Sequence, residues 1–247
     1  MKIVSLVPSL TELLFHLGLD DQVVGRTKFC IHPADRVKSA IKIGGTKNVN
    51  IQKVIELKPD LIIANKEENT KADIEALQEV CKVHVSEIAN YDQAIFSIDD
   101  IGLMTNSADR ATTLIEEIEV SFEKLKQSRI DKTQQKKVCY LIWQKPYMSI
   151  GNDTYIHDML NHCGFENICA DQTRYPVLIL EEIKKDQPDY LFLSSEPFPF
   201  KQIHIEKLQL ELPNAKIILV DGEYFSWYGN RMVGAAKYFR RLIKKLN

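Results

Sequence analysis

The chain has 247 residues, 45% of them hydrophobic, and a formal net charge of −2 from 32 Lys and Arg against 34 Asp and Glu. That is enough chain for one large or two small domains with a sizeable core, and its charges nowhere gather into the dense positive face of a nucleic-acid binder. No apolar run approaches the ~18 residues of a membrane span, and five cysteines without CxxC spacing argue against a disulfide framework or a structural zinc site.

Lys2–Val7 is a short apolar run, read as a buried first strand. The opening Met1–Pro8 is too short and too lightly charged for a signal segment. The location expected from the sequence as it stands is therefore the cytosol, where free thiols persist; a trimmed chain carrying an added Met would read the same and would be periplasmic. Ser9-Leu10-Thr11-Glu12 predicts a helix start with Ser9 as N-cap of a capping box, and Gly18 ends that helix. Val23–Thr27 reads as a strand, Ile51–Leu57 as a helix, and Pro59-Asp60 as the break before a buried strand at Leu61–Ala64. A helix over 71–80 and a strand at Lys82–Ile88 complete the first half.

Residues 92–130 carry Ile101, Met104, Ala108, Ala111, Leu114, Ile115, Ile118 and Phe122 at helical spacing. They predict one long helix or two abutting ones, followed by a polar loop at Ser128–Lys136. The second half repeats the order of the first: a strand at Lys137–Trp143, a helix at 154–163 closed by Gly164, and a short helix at 180–185. Pro188-Asp189 then precedes a strand at Tyr190–Leu193, followed by a helix at 201–209, a strand at Ala215–Val220 and a closing helix at 230–245. The halves also share letters. Leu13-Leu14-Phe15-His16-Leu17-Gly18-Leu19 parallels Met159-Leu160-Asn161-His162-Cys163-Gly164-Phe165, and the Pro59-Asp60 segment parallels the Pro188-Asp189 segment. The division expected is an N-terminal lobe at 1–91, a bridging helix at 92–130 and a C-terminal lobe at 131–247.

This arrangement resembles the helical-backbone (class III) substrate-binding proteins of ABC importers for cobalamin, haem and iron–siderophore complexes. The residues that carry the resemblance are Ile3-Val4-Ser5-Leu6-Val7-Pro8-Ser9-Leu10-Thr11-Glu12-Leu13, Val24-Gly25-Arg26-Thr27, Asn50–Ile62 and Cys163-Gly164-Phe165-Glu166-Asn167-Ile168. Its cobalamin-binding subgroup is the most similar. The resemblance implies an α/β fold of two Rossmann-like lobes bridged by a long backbone helix, with a small metal-chelate ligand in the cleft, a corrinoid foremost. It implies no chemistry on the ligand and no required cofactor. It also implies docking on a permease through one glutamate per lobe, and Gln52 and Ser226 stand at those positions here.

Ligands of α/β lobes sit at the carboxyl ends of strands, so the loops there supply the candidate residues: Phe29, Thr46, Lys66, Trp143, Tyr175, Phe198, Trp227, Tyr228 and Arg231. Aromatic rings cover a flat macrocycle with few degrees of freedom to freeze, and Trp227 and Tyr228 are the leading anchors. Arg231 opens the last helix, an unfavourable place for a cation, and so calls for an anionic partner: a ligand group or an acidic side chain of the other lobe. Cys30 is the one weak candidate for a metal ligand. Glu67-Glu68 reads as a solvated loop pair. Arg240, Arg241, Lys244 and Lys245 read as complements to the last helix's dipole. Two other readings compete with ligand capture. One is a metallocofactor enzyme on the same architecture; the other is a module that binds another protein through an exposed apolar patch.

Overall fold

The computed structural model describes residues 1–129 and 135–246. The chain divides into two compact α/β units. Unit 1 comprises Met1–Ile88, Asp92–Glu117 and Tyr228–Arg231; unit 2 comprises Ala89–Tyr91, Ile118–Trp227 and Met232 to the C-terminus.

Unit 1 is built on five parallel strands, β1 (Ile3–Ser5), β2 (Val23–Arg26), β3 (Ile41–Lys42), β4 (Leu61–Asn65) and β5 (Lys82–Ser86), in the order β3-β2-β1-β4-β5. Helices α1 (Pro8–His16), α2 (Ile51–Leu57) and α3 (Lys71–Gln78) connect them. Every residue of β1 and β4 is buried, as expected of parallel strands covered on both faces.

Unit 2 carries β6 (Lys136–Leu141), β8 (Phe165–Asn167), β10 (Tyr190–Ser194) and β11 (Lys216–Val220), parallel and ordered β11-β10-β6-β8. Two short strands, β7 (Tyr147–Met148) and β9 (Val177–Leu178), form a separate antiparallel ribbon. Its helices are α6 (Tyr155–Cys163), α7 (Leu180–Asp186), α8 (Gln202–Glu211), α9 (Gly222–Ser226) and α10 (Arg231–Leu246). The order β2-β1-β4-β5 matches β8-β6-β10-β11, so the shared letters report a shared topology.

The repeat extends to single hydrogen bonds. Lys58 and Gln187 end α2 and α7 in the left-handed region, at φ 49° and 48°. The Pro-Asp that follows each then presents a carboxylate to the first strand of its sheet. Asp60 Oδ2 accepts from the Lys2 backbone N–H at 2.7 Å and Asp189 Oδ2 from that of Lys137 at 2.9 Å. Burial pushes the Asp189 carboxyl up, but the Lys137 N–H and the Lys136 ammonium together hold it below its ordinary value. Gly18 and Gly164 leave α1 and α6 with φ of 73° and 85°, which a residue without a Cβ adopts freely.

One expectation changes. Helix α1 starts at Pro8, with Val7 as N-cap and no side-chain cap, so Ser9 lies inside the helix. Proline suits the first helical position because its missing N–H has no partner there in any case. Of the two readings of the stretch after residue 91, the structure has two helices, α4 (Tyr91–Met104) and α5 (Ala108–Lys126). They part at Asn106, which is left-handed at φ 54°, beside a hydroxyl pair of Thr105 and Ser107 at 2.7 Å. The loop read at Ser128–Lys136 falls in part on residues 130–134, outside the described residues.

In unit 2, the chain enters α4 through a carboxylate clamp. Asp158 Oδ2 of α6 accepts from the Tyr91 N–H at 2.7 Å and lies 3.6 Å from His162 Nε2, while Tyr91, Phe122 and His162 pack ring on ring. Burial raises the Asp158 carboxyl, but His162 and the Tyr91 N–H outweigh it and the net shift is downward. A carboxylate held below its unfolded value contributes stability above that value and loses it as pH falls through the folded one. Asp158→Ala is therefore expected to cost about 1–2 kcal/mol at neutral pH. The gap to the unsubstituted protein should close below about pH 4, as measured by denaturant unfolding across pH; a gap that persists at pH 2 would exclude the clamp.

Candidate functional site

In each sheet the strand order reverses beside the first strand: between β1 and β4 in unit 1, between β6 and β10 in unit 2. At such a point the two following loops run to opposite sides, and a crevice opens outside the carboxyl ends of the strands.

In unit 1 the loops after β1, β3, β4 and β5 are tied together by two buried asparagines. Asn69 Nδ2 donates to the carbonyls of Thr46 at 3.1 Å and Leu6 at 3.5 Å. Asn65 Nδ2 donates to Ser86 O at 3.1 Å, and Asn65 Oδ1 accepts from the Glu67 N–H at 2.8 Å. The loop after β2 is pinned by the buried Arg26, whose guanidinium donates to the carbonyls of Val37 and Cys30 at 2.7 and 2.9 Å. Phe29 rides on this loop, 50% exposed, with the Lys28 ammonium 4.9 Å from its ring centre. Lys66 is exposed and pairs with Glu87 at 2.6 Å. Thr46 is buried within its loop. Glu68 is half-buried instead of solvated; burial pushes its carboxyl up against the opposing pull of Lys47, and Glu67 adds to the rise.

Cys30 is fully buried, within reach of the Thr11 and Thr27 hydroxyls at 3.0 and 3.1 Å. Burial pushes its thiol up, so the thiolate a metal needs is disfavoured. Among the described residues no three His, Cys, Asp or Glu side chains are grouped to hold a metal ion. Arg231 Nε donates to Glu12 Oε2 at 2.7 Å. The anionic partner foreseen for it is thus an acidic side chain, but one of the same unit.

In unit 2 the reversal point is aromatic. Trp143 follows β6 and is 40% exposed; Phe198 follows β10 and meets it edge-to-face at 5.7 Å. Phe200 and His204 pack behind Phe198. Met148 of the β7–β9 ribbon donates its N–H to Trp143 O, and the Phe198 N–H reaches Ile142 O. Tyr175 precedes β9, half-buried, with the Arg174 guanidinium 5.6 Å from its ring centre. Trp227 is only 8% exposed; Tyr228, which belongs to unit 1, is 7% exposed.

What holds Trp227 is a residue that sequence reasoning passed over. Glu196 Oε1 accepts from Trp227 Nε1 at 2.9 Å and from the Ser226 hydroxyl at 2.7 Å. Glu196 is itself held close to α9: a Cβ on Gly222 would lie 2.4 Å from Ser194 Oγ and 2.7 Å from Glu196 Cγ. The only sequence signal was its place in a strand-end loop, which says nothing of a partner 31 residues on.

The strand-end loops, the repeated topology and the aromatic reversal point are those of a binding scaffold, and comparison with known proteins agrees. The periplasmic binding protein family profile matches residues 3–211. The chain belongs to the periplasmic binding protein family. Its members bind solutes and are not enzymes. The ABC transporter substrate-binding lipoprotein YvrC of Bacillus subtilis is 34% identical over 196 residues, 76% of this chain and 62% of the relative. The chain thus spans less than two thirds of that relative's length. The vitamin B12-binding protein of Vibrio vulnificus is 25% identical over 202 residues, 78% of this chain and 71% of the relative. Among solved structures, the periplasmic heme-binding protein RhuT from Roseiflexus sp. RS-1 superposes with a TM-score of 0.86 at 20% identity, covering 99% of this chain and 98% of that one. It shares the two-lobed α/β fold.

The Glu196 anchor makes a direct prediction. Glu196→Ala in a Trp143→Phe background leaves Trp227 as the only tryptophan and removes its partner. Its emission should shift to the red and stability should fall by about 1–3 kcal/mol; an unchanged emission maximum would show that Glu196 does not position the ring.

Proposed function

We propose that this protein captures a small metal chelate, a corrinoid foremost, as the solute-binding component of an ABC importer. The supporting observation is the half-exposed Trp143 against Phe198 at the point where the second sheet reverses its order. An exposed indole at a reversal point offers a flat apolar face at a place the fold leaves accessible, and its rigidity keeps the entropic cost of contact low. Phe29, exposed on the equivalent end of unit 1, offers a second such face. Tyr175 and Phe198 belong to neighbouring strand-end loops of the same unit, while Trp227 and Tyr228 are buried. Lys66 and Arg231 are already engaged by Glu87 and Glu12, so they contribute to the ligand only by exchanging those partners. Thr46 serves through the loop it shapes.

Vitamin B12 and haem binders both stand among the similar proteins. Haem is thus the second reading, favoured by the same flat aromatic surface. By the family's pattern the protein works outside the cytoplasmic membrane with a permease. Gln52 is exposed in the first turn of α2, and the Ser226 hydroxyl is turned onto Glu196. Docking at those two positions is then polar and uncharged rather than ionic.

Titration of tryptophan fluorescence with cobalamin, cobinamide, haem and a ferric siderophore tests the reading. One ligand should quench strongly where the others do not. Trp143→Ala should weaken that ligand by about 2 kcal/mol, the loss expected for an interface anchor, with Trp227 as the remaining reporter. No response to any of the four would overturn the proposal, and an unchanged affinity in Trp143→Ala would remove Trp143 from the site.

A further inference from the structure

Helix α10 is unusual in its charge. Its 16 residues include Arg231, Lys237, Arg240, Arg241, Lys244 and Lys245 and not one Asp or Glu. Lys237, Arg240, Arg241 and Lys244 follow the spacing i, i+3, i+4, i+7, which puts them on one face, and all four are exposed. With Ser128, in the turn after α5, and Ile243 they line a groove of about 540 Å³ in unit 2. Among the described residues none of the four makes an ion pair.

Complementing the helix dipole does not account for this arrangement. The dipole acts within the last turn, which a helix ending at Leu246 reaches only from Ile243 onward. Lys237 lies more than two turns from the end, and Arg240 and Arg241 also lie before that turn. Lys237 with Arg241, and Arg240 with Lys244, are like charges four apart, a pairing that destabilises a helix. Elsewhere the chain neutralises its helices: α5 interleaves Glu116, Glu117, Glu119 and Glu123 with its cations. Four exposed like charges on one helix face repel one another, and a covering anion relieves that repulsion.

We propose that this face is a contact for an anionic lipid surface, with the groove receiving a phosphodiester headgroup. The opposite face of α10, Met232, Ala235, Ala236, Phe239, Leu242 and Leu246, is buried in the protein. No apolar stripe remains to enter hydrocarbon, so the contact is electrostatic and peripheral. Basic residues near a bilayer act additively and are screened within a Debye length. The groove belongs to unit 2 alone and does not depend on which chelate the protein carries.

Vesicle sedimentation of the full chain tests the proposal. The protein should sediment with phosphatidylglycerol vesicles at 50 mM salt and with neither phosphatidylcholine vesicles at 50 mM nor phosphatidylglycerol vesicles at 500 mM. The fourfold change Lys237→Gln, Arg240→Gln, Arg241→Gln, Lys244→Gln should lower the partition coefficient roughly tenfold or more while keeping the thermal midpoint and chelate binding. A charge-matched control, Lys38→Gln, Lys42→Gln, Lys71→Gln, Lys82→Gln, should retain binding. The proposal fails if phosphatidylglycerol is not bound at low salt, if the control loses as much as the groove variant, or if polyglutamate binds the face as tightly as the vesicles.

Discussion

A parallel sheet whose strand order reverses beside its first strand cannot close its own carboxyl edge at that point. This constraint governs the rest of the molecule. Helices must cover both faces of the sheet, because every residue of β1, β4 and β10 is buried. The loops after the two central strands then diverge, and nothing in the local chain fills the gap between them. The fold builds this geometry twice, with the same strand order and the same Pro-Asp bond to the first strand. The open carboxyl ends lie at β1 and β4 in one unit and at β6 and β10 in the other.

Loops at such ends need their shape held for them, and the protein does so with buried polar groups rather than with apolar packing. Asn65, Asn69 and Arg26 spend their hydrogen bonds on backbone carbonyls and N–H groups of neighbouring loops in unit 1. In unit 2 the half-buried Glu196 accepts instead from the side chains of Ser226 and Trp227. A buried polar group left unpaired is costly, so each of these residues strongly selects one loop conformation over its alternatives. This is the physical content of a pre-formed binding surface: the ordering cost is met during folding and not charged against ligand affinity. It also explains why Trp227, the most conspicuous aromatic in the sequence, is a structural backing while Trp143 presents its ring.

Much of the fold was legible from periodicity and punctuation. Helix α2 occupies Ile51–Leu57 as read, and the Gly18 and Gly164 helix ends and the two Pro-Asp breaks stand where the sequence puts them. These signals are local: a glycine at a left-handed position or a proline after a helix acts within one turn. The short strands β3, β7, β8 and β9 were missed because two or three residues carry no period and are defined only by their neighbours across the sheet. The capping box at Ser9 failed for a related reason. Its Glu12 is claimed by Arg231, 219 residues away, and no local pattern announces such a partner.

For the candidate site, the sequence by itself determined that the strand-end loops are rich in aromatic rings, because a strand's end and a ring's chemistry are both properties of a few adjacent letters. Tertiary structure alone decided which rings face outward and which are buried. It likewise decided that Arg231 pairs with Glu12, that Cys30 is sealed beneath two hydroxyls, and that Lys237, Arg240, Arg241 and Lys244 line a groove with no ion pair among the described residues. Each of these turns on which partner arrives from a distant part of the chain. Exposure and ion pairing are set by that arrival, and no residue carries either in its own identity.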